Sequence, residues 1–450
     1  MKRLIICMLA ALAALTMSAF ALEEGDWKYR VVDNKAVLIE YKGQDTEMVF
    51  PEQVGGYDVV SASPELFKGH KSLISIVIPA EFGVVPDGLC NGVPYLKSVV
   101  IEEGITKIGT GAFQNCPSLV DVQFPSTIEI FCDHAFQGCS NLTFDIPSTV
   151  KEIGILALSG THLSDVVVNA ETFGKGAFQT CNNLRSIKFT NENCKTISES
   201  MFYDCPLLET VEFPSAVELI DYYAFDGCVK LRDLRLPKGL KSIKKKAFNE
   251  CQSLVNVVIP YGTLSLGNAY AGEVFTGCTA LRRVFVPSTV ESIGVKMLSE
   301  KNDCVVYCTA GSKMEEYCSN NGFSYSSDIT VDSSVRVYYN GTPISFNTYG
   351  QNPEIVDGRT LVPLRSIFEA MGVEVEWDND TRTAVASRDG LTIKIQIGSD
   401  KMYKNNEAVP VDVPAQIING RTMVPVRVIS EALGADVVWD GSSNSALITE

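Results

Sequence analysis

Residues 214–236 read PSAVELIDYYAFDGCVKLRDLRL, and residues 237–259 read PKGLKSIKKKAFNECQSLVNVVI. Set proline on proline, the two stretches agree in their apolar positions: Val217 with Leu240, Ile220 with Ile243, Ala224 with Ala247, Phe225 with Phe248, Cys228 with Cys251, Leu231 with Leu254. Residues 102–124, EEGITKIGTGAFQNCPSLVDVQF, carry the same order through Ile105, Ile108, Ala112, Phe113, Cys116 and Leu119. The period is 23, and anchors from Pro51 to Pro287 extend the series at spacings of 21 to 28. A fixed period of this length marks a repeat architecture.

Within a unit, Leu-x-x-Val-x-Phe-Pro is a short strand: apolar residues two apart share a face, and proline ends the hydrogen-bonded run. The Ala-Phe-x-x-Cys stretch is too short for a stable helix and predicts a turn. One unit cannot bury its own seven or eight apolar side chains. Stacked units can, because equivalent positions then lie above one another. Each large apolar side chain so buried contributes roughly 1.5–3 kcal/mol. A solenoid needs closed ends. Residues 28–32 and 36–41, around Asp33-Asn34-Lys35, predict a hairpin cap at one end, and residues 304–325 predict the other.

Units of the form Pro-Ser-Thr-Val-Lys-Glu-Ile-Gly (147–154), leading elsewhere in the chain to Ala-Phe and a Cys, resemble the BspA-like class of bacterial leucine-rich repeats over about residues 23–325. The resemblance implies an exported or surface protein, since several members of that class are implicated in adhesion to host proteins. Seven cysteines (116, 139, 181, 205, 228, 251 and 278) fall three residues after the Phe position. Thiols there act as small apolar groups, mostly free and buried, with a few cross-unit disulfides geometrically open. Cys304, Cys308 and Cys318 break register and leave one disulfide open. No histidine lies near them and their spacing matches no zinc pattern, so no metal is expected.

Lys2 and Arg3, a greasy run from Leu4 to Leu15, and Ala19-Phe20-Ala21 describe a secretory signal peptide over residues 1–21. The run is shorter than a bilayer span. Repeats with their caps then fill 22–326. With 46% apolar and 20% charged residues the composition is globular. Lys and Arg number 38 against 54 Asp and Glu, a net charge of −16, which disfavours nucleic acid and acidic membrane as partners. His70, His134 and His162 fall at different phases of the repeat and read as isolated surface residues. No P-loop, G-x-S-x-G or H-E-x-x-H occurs. No catalytic residue and no cofactor are expected.

Beyond the polar stretch 326–334 a second duplication begins. Gly358-Arg359-Thr360-Leu361-Val362-Pro363-Leu364-Arg365 recurs 62 residues later as Gly420-Arg421-Thr422-Met423-Val424-Pro425-Val426-Arg427, and Trp377-Asp378 recurs as Trp439-Asp440. Each copy reads as strand, helix, strand, with Pro363 and Pro425 in the first helical turn and Gly372 and Gly434 as stops. Residues 333–450 are similar to the stalk-type domain named for the N-terminal part of copper amine oxidases, which implies a spacer or attachment module. Copper catalysis is excluded, because this region has no histidine. The fold class is therefore mainly β with short helices: a leucine-rich-repeat solenoid plus a smaller α+β domain built from a duplicated motif. Arg359, Arg365, Arg421 and Arg427 either hold an anionic wall polymer or pair locally, Arg365 with Glu369 and Arg427 with Glu431, four residues on.

Outward positions along the stacked strands include Ser75/Val77, Ser98/Val100, Asp121/Gln123 and Arg283/Phe285. Arg235, Arg283 and Phe285 cluster on late units, with the composition of interface hot spots. The unit after Pro260 carries four extra residues, placing Tyr270 on a bulging loop. Arg235, Tyr270, Arg283 and Phe285 are the candidate contact residues, with loop-length drift as the bland account of the insertion. The expected function is an exported, non-enzymatic, adhesin-like binding protein at the bacterial surface, facing extracellular or host proteins. The alternative is a structural envelope protein whose C-terminal domain binds wall polymer. A hydrolase would need converging carboxylates that the sequence does not reveal.

Overall fold

The structure, a computed structural model, describes residues 21–64, 66–67, 69–232, 234–260, 262–267, 272–299, 304–329, 335–346, 351–356, 359–440 and 445–450. Residues 1–20 of the stretch 1–21 read above as a signal peptide lie outside them. The protein is mainly β, with a solenoid-like leucine-rich-repeat arrangement, a smaller C-terminal domain and three short α-helices among the described residues. The chain divides into two compact units: residues up to Asn191 with Ser198–Pro206, and Glu192–Ile197 with Leu207–Glu450.

The first unit opens with a hairpin, Trp27–Val32 and Lys35–Tyr41, extended by Leu22–Glu24 and by Tyr57–Ala62. Asp33 and Asn34 both hold positive φ (50° and 60°), so the turn is the two-residue form that suits strand twist, one residue tighter than the expected three. The cap core is aromatic: Trp27 lies 4.5 Å from Tyr41, and Phe50 lies 5.0 Å from Phe82 of the first repeat. His70 belongs to this core rather than to the surface. It is 7% exposed, its Nδ1 accepts from the Leu73 N–H at 3.2 Å, and burial lowers its pKa.

Most repeats then contribute two parallel strands rather than the single one read from sequence; the units from Pro125 and Pro214 show only the shorter one among the described residues. The strands Glu47–Val49, Ser75–Ile78, Ser98–Ile101 and Asp121–Gln123 pair in register, turning Met48, Ile76, Val99 and Val122 inward. A second ladder joins Lys107–Ile108, Ile130–Phe131, Glu152–Ile153 and Thr172–Phe173. Two-residue strands leave no alternation in the sequence to read. Between the ladders lies the Ala-Phe turn. The residue two after each Phe takes positive φ, as Asn115, Gly138, Thr180 and Asp204 do, which explains its Asn, Asp and Gly content.

Stacking is literal. Phe113 and Phe136 rings lie 5.4 Å apart at 12°, and Phe178 and Phe202 lie 5.6 Å apart at 15°. In the second unit Phe248 stacks on Phe225 at 5.2 Å and on Phe275 at 5.6 Å. The rung cysteines are more than small hydrophobes. Cys139 Sγ donates to the Phe113 carbonyl at 3.0 Å, Cys205 to Phe178 at 3.2 Å, Cys251 to Phe225 at 3.2 Å and Cys278 to Phe248 at 3.1 Å. Each thiol thus links to a carbonyl one unit back, adding to the turn N–H that the Phe178, Phe225 and Phe248 carbonyls already accept. All thirteen described cysteines are free, including Cys304, Cys308 and Cys318. Burial pushes the Cys278 and Cys318 thiols up to about 12.

The second unit repeats the pattern through parallel strands Asn256–Val258, Arg283–Val286, Val305–Thr309 and Tyr325–Ile329. Helix α1, Lys313–Asn321, bridges the last two strands. Ser312 caps its start and Gly322 (φ 72°) ends it, with Met314 and Cys318 buried beneath. The C-terminal domain follows. Its duplicated strands Arg359–Pro363 and Arg421–Pro425 pair antiparallel, Val362 opposite Val424. Helices α2 (Leu364–Ala370) and α3 (Val426–Ala432) leave them, with Pro363 and Pro425 one residue earlier than expected, as N-caps still in extended backbone. Gly372 (φ 68°) and Gly434 (φ 90°) stop the helices as the sequence suggests.

Two outcomes test this packing. Phe248→Ala, removing a ring stacked on both sides, should cost about 3–5 kcal/mol in chemical denaturation. A thiol reagent at pH 8 should label Cys132 alone among the described cysteines in the native protein, because it is the one not fully buried, and all thirteen in guanidinium.

Candidate binding surfaces

Three surfaces qualify. The late-repeat surface holds three of the four candidate contact residues and is already occupied. Phe285 is only 1% exposed. It stacks on Tyr307 at 4.6 Å and meets Tyr338 at 6.2 Å, in a cluster completed by Leu447, Val258 and Val438. Val258, Phe285 and Tyr307 are outward positions of successive repeat strands; Tyr338, Val438 and Leu447 come from the C-terminal domain. Around this apolar centre runs a polar rim. Arg235 Nη1 donates to the Gly434 carbonyl at 2.7 Å, Lys238 pairs with Glu431 at 3.0 Å, and Arg283 Nη1 donates to the Asn340 carbonyl at 3.5 Å. An apolar core with a polar rim is interface anatomy. Arg235, Arg283 and Phe285 therefore sit at one contact, made with the chain's own C-terminal domain. Tyr270 lies outside the described residues.

Gly341 makes the approach possible. It turns at φ +80° after Asn340, and a Cβ there would overlap the Phe285 ring and come within 2.9 Å of Arg283 Cδ. Sequence reading gave no weight to Gly341, Lys238 or Tyr338. One signal was available: Val438 stands where the first copy has Glu376, an apolar residue at an otherwise polar outward position.

The first unit's outward face is open. Its in-register strands place Glu47, Ser75, Ser98 and Asp121 in one row and Val49, Val77, Val100 and Gln123 in the next. Val49 is 73% exposed.

The third surface is a pair of hollows in the C-terminal domain. One, of about 470 Å³, is lined by Pro425, Val426, Arg427, Val437, Trp439 and Ala446, with Arg359, Thr360 and Asp412 from the other side. The second, of about 340 Å³, is lined by Pro363, Leu364, Arg365, Val375, Trp377 and Ala384, with Arg421 and Thr422 opposite. They are the same site in the two copies, 62 residues apart. Antiparallel pairing about Val362 and Val424 generates both, by bringing the first Arg of each motif beside the last Arg of the other. Small alanines opposite the tryptophans (Trp377 with Ala384, Trp439 with Ala446) leave the space.

The expected pairs Arg365–Glu369 and Arg427–Glu431 do not form. Glu431 takes Lys238, and neither Arg365 nor Arg427 has a hydrogen-bond or ion-pair partner among the described residues. Arg359 is engaged by Asp412 at 2.8 Å. Trp377 Nε1–H donates to Asn379 Oδ1 at 2.9 Å, and the next residue, Asp378, accepts from the Thr381 hydroxyl at 2.7 Å, which lowers the Asp378 pKa. The Trp-Asp motif thus combines a lining residue with the residue that shapes its turn. Among the described residues no three His, Cys, Asp or Glu side chains gather to hold a metal.

Parallel rungs with a buried Phe and Cys column define a leucine-rich-repeat protein. Residues 60–185, 169–271 and 195–330 match the BspA type leucine rich repeat region, and the chain belongs to that family. Residues 338–448 match the copper amine oxidase N-terminal domain. A Brevibacillus choshinensis protein named as a protease inhibitor is 34% identical over 105 residues, 21% of this chain. The chain spans 31% of that relative's length. A leucine-rich repeat protein of Bacteroides ovatus superposes with a TM-score of 0.49 at 20% identity, covering 64% of this chain and 71% of that one. The pneumococcal vaccine antigen PcpA superposes with a TM-score of 0.43 at 19% identity, covering 69% and 99%.

Gly341→Ala should loosen the self-contact, since overpacking of this kind costs about 1–3 kcal/mol. Hydrogen exchange should accelerate at 283–286 and 336–339 while strand 98–101 stays unchanged.

Proposed function

We propose that the chain is an exported, non-enzymatic, adhesin-like binding protein: a leader over 1–21, a recognition surface on the repeats of 22–326, and a spacer or envelope attachment in 333–450. Its partners are extracellular or host proteins. The observation that carries this reading is the outward face of the first unit, a column of exposed Val49 and half-buried Val77 and Val100 edged by Glu47, Ser75, Ser98 and Asp121. The sequence-equivalent positions of the late repeats hold Val258, Phe285 and Tyr307, and there the C-terminal domain supplies the covering residues. A binding surface for another protein therefore has to be sought on the earlier units.

A non-enzymatic role is supported by the chemistry of the side chains. The buried thiols have pKa values pushed well above neutrality, so they are poor nucleophiles. His70 is sealed in the cap core, and His134 hydrogen-bonds Gln137 within its own turn at 2.8 Å.

The test is capture of immobilised fibronectin, laminin and collagen by the mature protein, followed by the triple variant Val49→Glu, Val77→Glu, Val100→Glu. None of the three belongs to the buried core, Val49 being exposed and Val77 and Val100 half-buried, so the fold should survive. Affinity for the captured protein should fall at least about tenfold, as for central apolar contacts. Unchanged affinity rejects this face, and capture of none of the three rejects the adhesin reading.

A further inference from the structure

We propose that the twin hollows of the C-terminal domain are binding sites for anionic sugar residues of a glycan chain, one site per copy of the duplicated motif. The proposal deepens the attachment role given above to this domain and is independent of what the repeat face recognises.

Three features point to this ligand chemistry. Each hollow has the volume of a small-ligand pocket, about 300–1,000 Å³, and is walled by apolar side chains with a few convergent polar groups. Each presents an indole, whose flat apolar face and polar edge suit a sugar ring. Each ends in two guanidinium groups from different copies, Arg365 with Arg421 and Arg427 with Arg359. Guanidinium forks recognise carboxylate and phosphate in bidentate fashion. The exposed Arg365 and Arg427 spend nothing on internal pairing, although Glu369 and Glu431 lie four residues away.

The duplication sharpens the case. The two hollows have different surroundings: one strand bearing a Trp joins a five-stranded sheet, the other the sheet that carries Tyr338. Residues facing those surroundings differ, as Glu376 and Val438 do. The lining Arg, Trp, Pro and Ala, and the Val375/Val437 pair, are nevertheless identical in both copies. Packing alone does not require an exposed, unpaired arginine twice. The chain's net charge of −16 repels polyanions in general, so capture of one calls for a specific cationic site. The hollow holding Arg365 has no carboxylate among its lining residues, whereas Asp412 engages Arg359 in the other.

Two sites on one domain let a polymer bind twice, with avidity well above that of either site. The experiment measures binding of the full mature chain to polygalacturonate, which carries carboxylates, and to phosphomannan, which carries phosphates. Neutral dextran and the ringless polyanion polyglutamate are the controls. At least one of the anionic glycans should bind, and both controls should fail; which glycan binds identifies the anionic group. Arg365→Ala or Arg427→Ala alone should lower apparent affinity about 100-fold, and the double variant should abolish binding. Arg365→Lys should restore only part of it, since the ammonium lacks the fork. Thermal melting should be unchanged in all four, because neither arginine has a partner to lose. Binding of polyglutamate as strong as that of the glycans, binding of neither glycan, or full binding by the double variant overturns the proposal. The valine variants of the repeat face should leave glycan binding intact, so failure here and failure there are read separately.

Discussion

No rung of this protein can bury its own phenylalanine. Most 23-residue units have two short strands and a turn, and the Phe ring of one unit stacks on the Phe of its neighbours. Everything else in the repeat region follows from that dependence. Ring-on-ring contact between Phe225, Phe248 and Phe275 sets a constant spacing, and the thiol of each unit donates to a carbonyl of the one before. Serine at the cysteine position would bring a more strongly solvated hydroxyl; alanine would remove the bond between units and leave the carbonyl only the N–H of its own turn. Cysteine meets both demands, being apolar enough to bury and still a weak donor. Its reactivity is suppressed by the same burial.

Stacking leaves a sheet face with no natural cover, and the two ends of the repeat region treat it differently. Late units carry Val258, Phe285 and Tyr307 on it, and the chain's own C-terminal domain lies over them. Burial of Phe285 contributes roughly 1.5–3 kcal/mol, whereas the exposed Lys238–Glu431 pair contributes at most about 1 kcal/mol. The aromatic centre therefore holds this contact and the charged rim orients it. Early units carry serine, valine and acidic residues instead, a face that remains soluble while open.

Legibility varied with pattern strength. The 23-residue period, the hairpin cap, the cysteine rung and the helix stops were all readable, because each is set by local chemistry repeated or by a residue with a special backbone role. The two-residue strands were not, since they offer no alternation to detect. His70 was misplaced because its burial comes from Tyr41 and Phe67, brought together only by the cap's sheet. Arg235, Arg283 and Phe285 stood out by composition, and the structure sets them against the chain's own C-terminal domain. Their partner did not: Tyr338 and Leu447 are distant in sequence and unremarkable there. The arginine pairs of the twin hollows depended on antiparallel register between copies, a relation that no single copy contains.

That last relation separates the two kinds of duplication in the chain. In the repeats, translation places like on like, so equivalent residues form columns and a buried core grows with every copy. In the C-terminal domain the copies meet antiparallel, Leu361 opposite Pro425 and Pro363 opposite Met423. Like residues are then placed at opposite ends of the paired strands, and each copy completes a hollow begun by the other. Translation makes area; a two-fold relation makes enclosed sites in pairs. One chain thus holds a broad open surface and two small concave ones, and each follows from how its duplicated segments meet rather than from any single residue.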